Sequence, residues 1–209
     1  MHHEVLTPEQ RKLLPLIKSF SGEFGLVGGT AAALQIGHRF SIDFDLFTLK
    51  DFDSNFVQNQ VRQNYPIEKI FVDRPQELTL VTHDVKLTFY KYPFAIAFSK
   101  IFEKIIKIPD LLTLAAMKAF ALGKRAKWKD YVDLFFIFKK VRFADAIAKA
   151  EKLFWGEFNQ KLFREQLAYY RDVDFTEKVI FLPGFETDEK IVQKTLTQVS
   201  LAPSRNRKE

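Results

Sequence analysis

The chain has 209 residues, of which 47% are hydrophobic and 28% are charged, and it contains no cysteine. A chain of this length forms one domain or one domain in two lobes, and its apolar content excludes an intrinsically disordered protein. Without cysteine, disulfides and thiolate metal sites are excluded as well. The 32 basic and 26 acidic residues leave a net charge of +6, which favours an anionic partner.

The sequence predicts neither a membrane-spanning nor a secreted protein. No apolar run reaches the about 18 residues that a membrane span needs. Residues 1–4 lack the basic head and apolar body of a secretory signal. We therefore expect a cytoplasmic protein with no membrane partner.

The first half of the chain alternates helices and strands. Thr7, Pro8 and Gln10 carry the signature of a helix start, and apolar residues at helical spacing continue that helix to about Gly22. This order of elements predicts an α+β (α/β) fold built on a sheet. The elements predicted next are a strand at 24–27, a helix at 30–36, a strand at 41–47, a helix capped by Asp51 or Asp53 and running to Asn64, and strands at 67–72, 78–82 and 85–92.

The second half of the chain is predicted to be helical. Its helices are expected at 111–122, 129–140, 143–155, 159–170 and 187–201, followed by a short polar tail at 204–209 that we expect to fray. Several phenylalanines recur in these helices at helical spacing, which favours core packing over base stacking. The sequence thus predicts a sheet lobe at 1–100 and a helical lobe at 101–209.

Two carboxylates in the sheet lobe form the first chemical motif. Asp43 and Asp45 are two residues apart on a predicted strand, so both side chains leave the same face, with alpha carbons roughly 6.6 Å apart. Phe44 points to the other face and anchors the strand. Two carboxylates at this spacing repel each other and suit Mg²⁺, which binds hard oxygen ligands.

A glycine pair precedes this strand. Gly28 and Gly29 allow the backbone to approach a ligand closely, and Thr30 lies at a helix start, where amide hydrogens and the helix dipole favour phosphate. A phosphate-binding turn, a helix and an Asp-x-Asp strand, in that order, predict transfer of a nucleotidyl group from a nucleoside triphosphate. The copy of this tripeptide at 51–53 follows no glycine pair, and we interpret it as a helix cap.

The second motif lies in the helical lobe. Lys118 is the only charge in an otherwise apolar helix, and Arg125, Lys127, Asp130 and Asp133 follow it. One interpretation is that Lys118 and Arg125 or Lys127 hold triphosphate while Asp130 orients a basic partner or the acceptor. The alternative is a Lys118 side chain that extends to water, with Asp130 and Asp133 on an exposed helix face that pairs with Lys129.

These motifs together resemble a known family. Four segments are similar to motifs of the AbiEii/AbiGii family of nucleotidyltransferase toxins. These segments are Gly-Gly-Thr-Ala-x-Ala-Leu at 28–34, Gly-His-Arg-x-Ser-x-Asp-x-Asp-Leu-Phe at 37–47, Leu-x-x-x-Lys at 114–118 and Arg-x-Lys-x-Lys-Asp-x-x-Asp-Leu at 125–134. That family belongs to the polymerase-β-type nucleotidyltransferase superfamily. The resemblance covers residues 26–135 and implies a minimal nucleotidyltransferase core with a mixed sheet, followed by a helical lobe.

The resemblance also implies site residues and partners. Asp43 and Asp45 would bind Mg²⁺, and a nucleoside triphosphate would be the substrate. The sheet-lobe residues that would line the triphosphate pocket are Gly28, Gly29, Thr30, Arg39 and Ser41. The helical-lobe residues that would complete the site are Lys118, Asp130, Arg125 and Lys127. Family members are typically toxins of antiphage or toxin–antitoxin pairs, and some act on the 3′ end of tRNA, so an RNA acceptor and a cognate antitoxin are the implied partners.

The sequence departs from the superfamily pattern at one position. A third carboxylate often stands on a later strand and helps to take the proton from the attacking hydroxyl, but Thr88 occupies that place here. His83 and Asp84, at the preceding turn, are candidate substitutes.

Two other functions stay open: transfer to a small molecule, and non-catalytic binding of nucleotide or RNA on the same scaffold. The basic residues around 124–142 favour RNA over a small molecule as the acceptor.

Overall fold

The computed structural model describes residues 1–203, so the predicted frayed tail at 204–209 lies outside the described residues. The chain divides into two compact units, Met1–Asp110 and Leu111–Glu209. The first unit contains all the strands found in residues 1–203, and the second is helical.

The first unit begins with a 3-10 helix at His3–Val5, followed by two short α-helices where the sequence predicts one. Helices α1 (Pro8–Lys12) and α2 (Leu14–Ser19) are separated at Leu13. Pro15 lacks the N–H that a continuous helix would need there, which explains the break. The predicted start is confirmed, because Thr7 and Gln10 form a reciprocal capping box.

The rest of the first unit follows the predicted order closely. Its elements are β1 (Gly25–Val27), α3 (Gly28–Ile36), β2 (Asp43–Thr48), α4 (Ser54–Arg62), β3 (Lys69–Arg74), β4 (Glu77–Thr82), β5 (Val85–Lys91), β6 (Lys100–Phe102) and β7 (Ile106–Ile108). The Asp53 side chain accepts a hydrogen bond of 2.9 Å from the Asn55 amide and caps α4, as predicted for the second Asp-x-Asp tripeptide. The β6–β7 hairpin was not predicted.

Five of these strands form one mixed sheet. Their order is β1-β2-β5-β4-β3, and β2 pairs with β5 in parallel while the other neighbours are antiparallel. The two remaining strands, β6 and β7, form a separate antiparallel pair. The predicted α+β class with a mixed sheet is confirmed.

The two faces of the central strands differ in burial. Phe44 and Leu46 of β2, together with Leu87 and Phe89 of β5, are 0% exposed and form the core. The intervening β2 residues on the opposite face are half-buried. Strand β2 therefore fixes one face in the core and presents the other, which carries Asp43 and Asp45.

The second unit consists of α5 (Leu111–Leu122), α6 (Trp128–Ile137), α7 (Phe143–Leu153), α8 (Gln160–Gln166) and α9 (Glu189–Ser200). Its phenylalanines pack as predicted, since Phe120 stacks on Phe154 with ring centroids 4.2 Å apart and both rings are buried. Within the described part of the chain, no helix is both long and apolar enough to cross a membrane.

Candidate active site

The acid pair lies on the half-buried face of β2. Asp43 and Asp45 alternate with the buried Phe44 and Leu46, so both carboxylates leave the same side of the sheet, as expected. The Asp43 side chain is 17% exposed, and its Oδ2 lies 2.9 Å from the ammonium nitrogen of Lys86. The two acids are thus accessible from one surface, and one of them already contacts a cation.

Lys86 is a site residue that the sequence analysis missed. Strands β2 and β5 run parallel, and their register sets Lys86 beside Asp43 and Thr88 beside Asp45. Side chains two residues apart on a strand share a face, so Lys86 and Thr88 both join the acid pair. Alternate residues of β5 share a face, and this pattern points to Lys86 as a site residue once the pairing of β2 with β5 is known. Thr88 occupies the expected place of the third acid, and it is not a carboxylate.

Gly28 brings the backbone into close contact with Asp45. It is the first residue of α3 and has a positive φ of 70°. A Cβ atom at this position would lie 2.2 Å from Asp45 Oδ2, closer than any real contact. The sequence predicted a close approach at this glycine, and the structure identifies the Asp45 carboxylate as its neighbour. Gly29 follows in the first turn of α3, which contains no acidic residue.

Three predicted triphosphate ligands are buried and make internal hydrogen bonds. The Thr30 hydroxyl donates to the Asp43 carbonyl and lies 2.7 Å from the Ser41 hydroxyl, so it ties α3 to the start of β2. Arg39 is 5% exposed and donates from Nη1 to the Phe40 carbonyl at 2.9 Å. These contacts position the acid strand, and a direct role of the three side chains in triphosphate binding stays a prediction.

In the second unit, Lys118 lies between two buried carboxylates. Its ammonium nitrogen is 2.6 Å from Asp130 Oδ1 and 2.6 Å from Asp133 Oδ2, and its side chain is only 7% exposed. The alternative of a Lys118 side chain extended to water is wrong. The alternative of an exposed Asp130 and Asp133 face is also wrong, because these side chains are 2% and 0% exposed.

The charges around Asp130 keep it ionised. Burial raises the pKa of this carboxyl, but attraction from Lys118 and Arg125 outweighs burial and leaves the pKa below its usual range. Arg125 contributes from the surface, with Nη2 3.3 Å from Asp130 Oδ2 and a side chain that is 55% exposed. Asp130 thus pairs with two basic side chains, Lys118 and Arg125, and its role in orienting a basic partner or the acceptor during the reaction stays a prediction.

Lys127 contacts an acid that the sequence analysis did not consider. Lys127 and Lys129 both form ion pairs with Glu177. Burial raises the pKa of Glu177, but hydrogen bonds from the two lysines outweigh it and lower the pKa to about 2. These contacts fasten the segment around Glu177 to the start of α6, and a role of Lys127 in triphosphate binding stays a prediction.

The donor set of the acid pair fits a magnesium ion. Among residues 1–203, no cluster of three or more His, Asp or Glu side chains is arranged to hold a metal. Mg²⁺ is often bound by one or two carboxylates, while waters and substrate phosphates complete its shell. Asp43 and Asp45 supply that number of carboxylates on one accessible face, where Asp43 already pairs with the Lys86 ammonium group.

Comparison with known families decides the identity. A family model described as "Nucleotidyl transferase AbiEii toxin, Type IV TA system" matches residues 17–200. The chain belongs to the AbiEii family. An uncharacterized protein of Aquifex aeolicus (strain VF5) is 34% identical to it over 141 residues, which cover 65% of this chain and 68% of that protein. The predicted family is confirmed, and the chain is a nucleotidyltransferase of a toxin family.

Solved structures share the AbiEii fold seen here. A putative nucleotidyltransferase from H. pylori has a TM-score of 0.60 and 18% identity, and covers 92% of this chain and 91% of that one. The nucleotidyltransferase toxin MenT4 from Mycobacterium tuberculosis H37Rv has a TM-score of 0.61 and 11% identity, with 92% and 82% covered. At these identities, the likeness concerns the fold.

Gly28→Ala tests the contact with Asp45. A residue with a side chain at positive φ costs about 1–2 kcal/mol, and this Cβ would also displace the Asp45 carboxylate. Gly156→Ala is the matched control, since Gly156 has a φ of 79° but nothing within 4 Å. We expect the thermal unfolding midpoint to fall further for Gly28→Ala than for Gly156→Ala. Each kcal/mol of lost stability should lower the midpoint by about 2–4 °C. Equal decreases would mean that the Asp45 contact carries no energy.

Lys118→Ala tests the buried charge cluster. Removal of the ammonium group leaves Asp130 and Asp133 buried without their shared cation, which should lower the free energy of unfolding by about 3–5 kcal/mol. Lys152→Ala, at an exposed position of α7, should change it by less than about 0.5 kcal/mol. Chemical denaturation of both variants measures these changes in the free energy of unfolding. A decrease for Lys118→Ala as small as that expected for Lys152→Ala would contradict the energetic importance of the buried charge cluster.

Proposed function

We propose that this AbiEii protein is a magnesium-dependent toxin that transfers a nucleoside monophosphate from a nucleoside triphosphate to an RNA acceptor, with tRNA as the favoured acceptor. The observation that carries the proposal is the acid pair, Asp43 and Asp45, on one face of β2 beside the start of α3. The family implies a cognate antitoxin as protein partner.

Asp43 and Asp45 would hold the metal, and the start of α3 would receive the phosphates. Helix α3 begins at Gly28, and no acidic side chain in its first turn opposes an anion. A bound divalent cation would supply positive charge to the attacking and departing oxygens. The Lys86 ammonium holds the Asp43 carboxylate in place, and the Gly28 backbone limits where the Asp45 carboxylate can lie.

In this reaction, the acceptor hydroxyl attacks the α-phosphorus, the bond to the bridging oxygen breaks and pyrophosphate leaves. The proton of the hydroxyl needs an acceptor, and Thr88 offers no carboxylate opposite Asp45. Asp84 precedes Thr88 by four residues, about 13 Å along an extended chain, so it does not replace the missing acid. We propose that a carboxylate oxygen of Asp43 or Asp45, which share this face, takes up the proton. General-base catalysis typically contributes about 10²–10⁴-fold, so we expect a slow enzyme.

A small-molecule acceptor is the second candidate, and one observation favours it. The basic run that suggested an RNA path is partly neutralised by contacts within the second unit. Arg125 contacts Asp130, Lys127 and Lys129 contact Glu177, and Arg142 forms a bidentate pair with Asp145. These contacts weaken the case for RNA binding along this run, whereas the acid pair serves either acceptor.

Incubation with each labelled nucleoside triphosphate, Mg²⁺ and total RNA tests the proposal. We expect label in a tRNA-sized band, and we expect Asp45→Asn to lower transfer by about 10²-fold or more, since metal-ion stabilisation of the transition state is worth several kcal/mol. Asp51→Asn is the matched control, because Asp51 begins the second Asp-x-Asp tripeptide and pairs with Lys91 at the surface.

The alternatives give different results in the same assay. Label in a small product would support the second candidate. Binding of nucleotide without incorporation would support a non-catalytic binding module. Unchanged transfer by a folded Asp45→Asn variant would contradict the proposed site.

A further inference from the structure

The segment that leads into α1 lies beside the connection between α3 and the acid strand. The His2 amide donates a hydrogen bond of 2.8 Å to the Leu34 carbonyl of α3, and the Ser41 amide, just before β2, donates one of 3.1 Å to the Val5 carbonyl. We refer to residues 2–10 as the N-terminal brace. The brace contains none of the candidate site residues, but its backbone is bonded to both ends of the connection between α3 and β2.

Gln10, the last residue of the N-terminal brace, reaches the acid strand itself. It is 0% exposed, and its Nε2 donates a hydrogen bond of 3.3 Å to the Asp43 carbonyl. Its Oε1 accepts a hydrogen bond of 3.1 Å from the Thr7 amide. A backbone N–H can only donate and a carbonyl oxygen can only accept, so these two partners fix the orientation of the Gln10 side-chain amide. Gln10 therefore links the capping box of α1 to the first residue of β2.

Asp43 lies beyond the part of β2 that β1 supports. The pairing of β1 with β2 runs from Phe47 back to Asp45, which is opposite Val27, and Asp43 comes two residues earlier. The Asp43 carbonyl accepts hydrogen bonds from two side chains outside the sheet, the Gln10 amide and the Thr30 hydroxyl. These two donors hold the backbone of β2 at the residue that carries the first carboxylate of the acid pair.

A donor to the Asp43 carbonyl also affects where the Asp43 carboxylate lies, because the carbonyl and the side chain are attached to the same alpha carbon. Groups that hydrogen-bond around metal ligands orient those ligands and tune their affinity for the metal. We propose that Gln10 is a positioning residue for the metal-binding acid pair, which acts by holding the Asp43 carbonyl. This inference rests on the proposed function, because it takes the metal to lie at Asp43 and Asp45.

Gln10→Met tests the positioning role, since it removes the donor and keeps the length of the side chain. Loss of an outer-shell partner typically lowers metal affinity by about 10–100-fold. We expect Gln10→Met to lower the affinity for Mn²⁺, measured by electron paramagnetic resonance, by that factor. In the metal-free protein, we expect faster hydrogen exchange of the backbone amides at 43–45, because this part of β2 has lost one of its two side-chain donors.

Thr7→Ala is the matched control, because it removes the other half of the same capping box. The Thr7 hydroxyl accepts from the Gln10 amide at 3.2 Å, and loss of such a cap destabilises the helix. The backbone N–H at position 7 remains in this variant and can still donate to Gln10 Oε1. We expect Thr7→Ala to lower the thermal unfolding midpoint but to leave the Mn²⁺ affinity and the exchange at 43–45 unchanged.

Gln10→Ala gives a second measurement if Gln10→Met does not fold. Alanine has the highest helix propensity and introduces no atoms that need new space in the buried site. It removes the same donor, so we expect it to lower the Mn²⁺ affinity and to speed exchange at 43–45 as Gln10→Met does.

The possible results distinguish this inference from the proposed function. Unchanged Mn²⁺ affinity or unchanged exchange at 43–45 in the Gln10 variants would overturn the positioning role, even if Asp43→Asn and Asp45→Asn lose the metal. An equal loss of Mn²⁺ affinity in Thr7→Ala would also overturn it, because the stability of α1 would then explain the effect. If the unmodified protein bound no Mn²⁺, the proposed function itself would fail, and the positioning role with it.

Discussion

Electrostatic repulsion between Asp43 and Asp45 is the constraint on which the site depends. Two carboxylates on one face of a strand are unfavourable unless a cation compensates them. The sheet supplies that cation, because parallel pairing of β2 with β5 brings Lys86 to within 2.9 Å of Asp43. The ion pair is partly exposed, so it adds little to stability. Its consequence is an Asp43 carboxylate that is already held in place by a cation of the chain itself.

The second unit also contains a charge that is compensated by opposite charges, in this case in its interior. Lys118 is almost fully buried, and it is tolerated because Asp130 and Asp133 both contact its ammonium group. Buried ion pairs of this kind contribute little net stability, but loss of one member is costly. The cluster therefore fixes how α5 and α6 pack. A loss of activity on substitution of Lys118 has to be separated from a loss of folding.

Local sequence signals predicted most elements and the acid pair. The alternation around Phe44 identified β2 and its two faces, and the Thr7 capping box identified the first helix start. Features that depend on distant partners were missed. Lys86 joins the site only through the strand register, and the burial of Lys118 depends on acids in the next helix. The β6–β7 strands are three residues each, too short for a periodic pattern.

Titration with Mn²⁺, followed by electron paramagnetic resonance, tests the central claim most directly, because Mn²⁺ shares the oxygen preference of Mg²⁺. We expect one Mn²⁺ site per chain. Loss of an outer-shell partner typically lowers metal affinity by about 10–100-fold, and we expect Asp43→Asn and Asp45→Asn each to lower the Mn²⁺ affinity by at least that factor. Lys86→Met should tighten binding, since it removes a competing cation beside Asp43. Unchanged Mn²⁺ affinity in both aspartate variants would contradict the account.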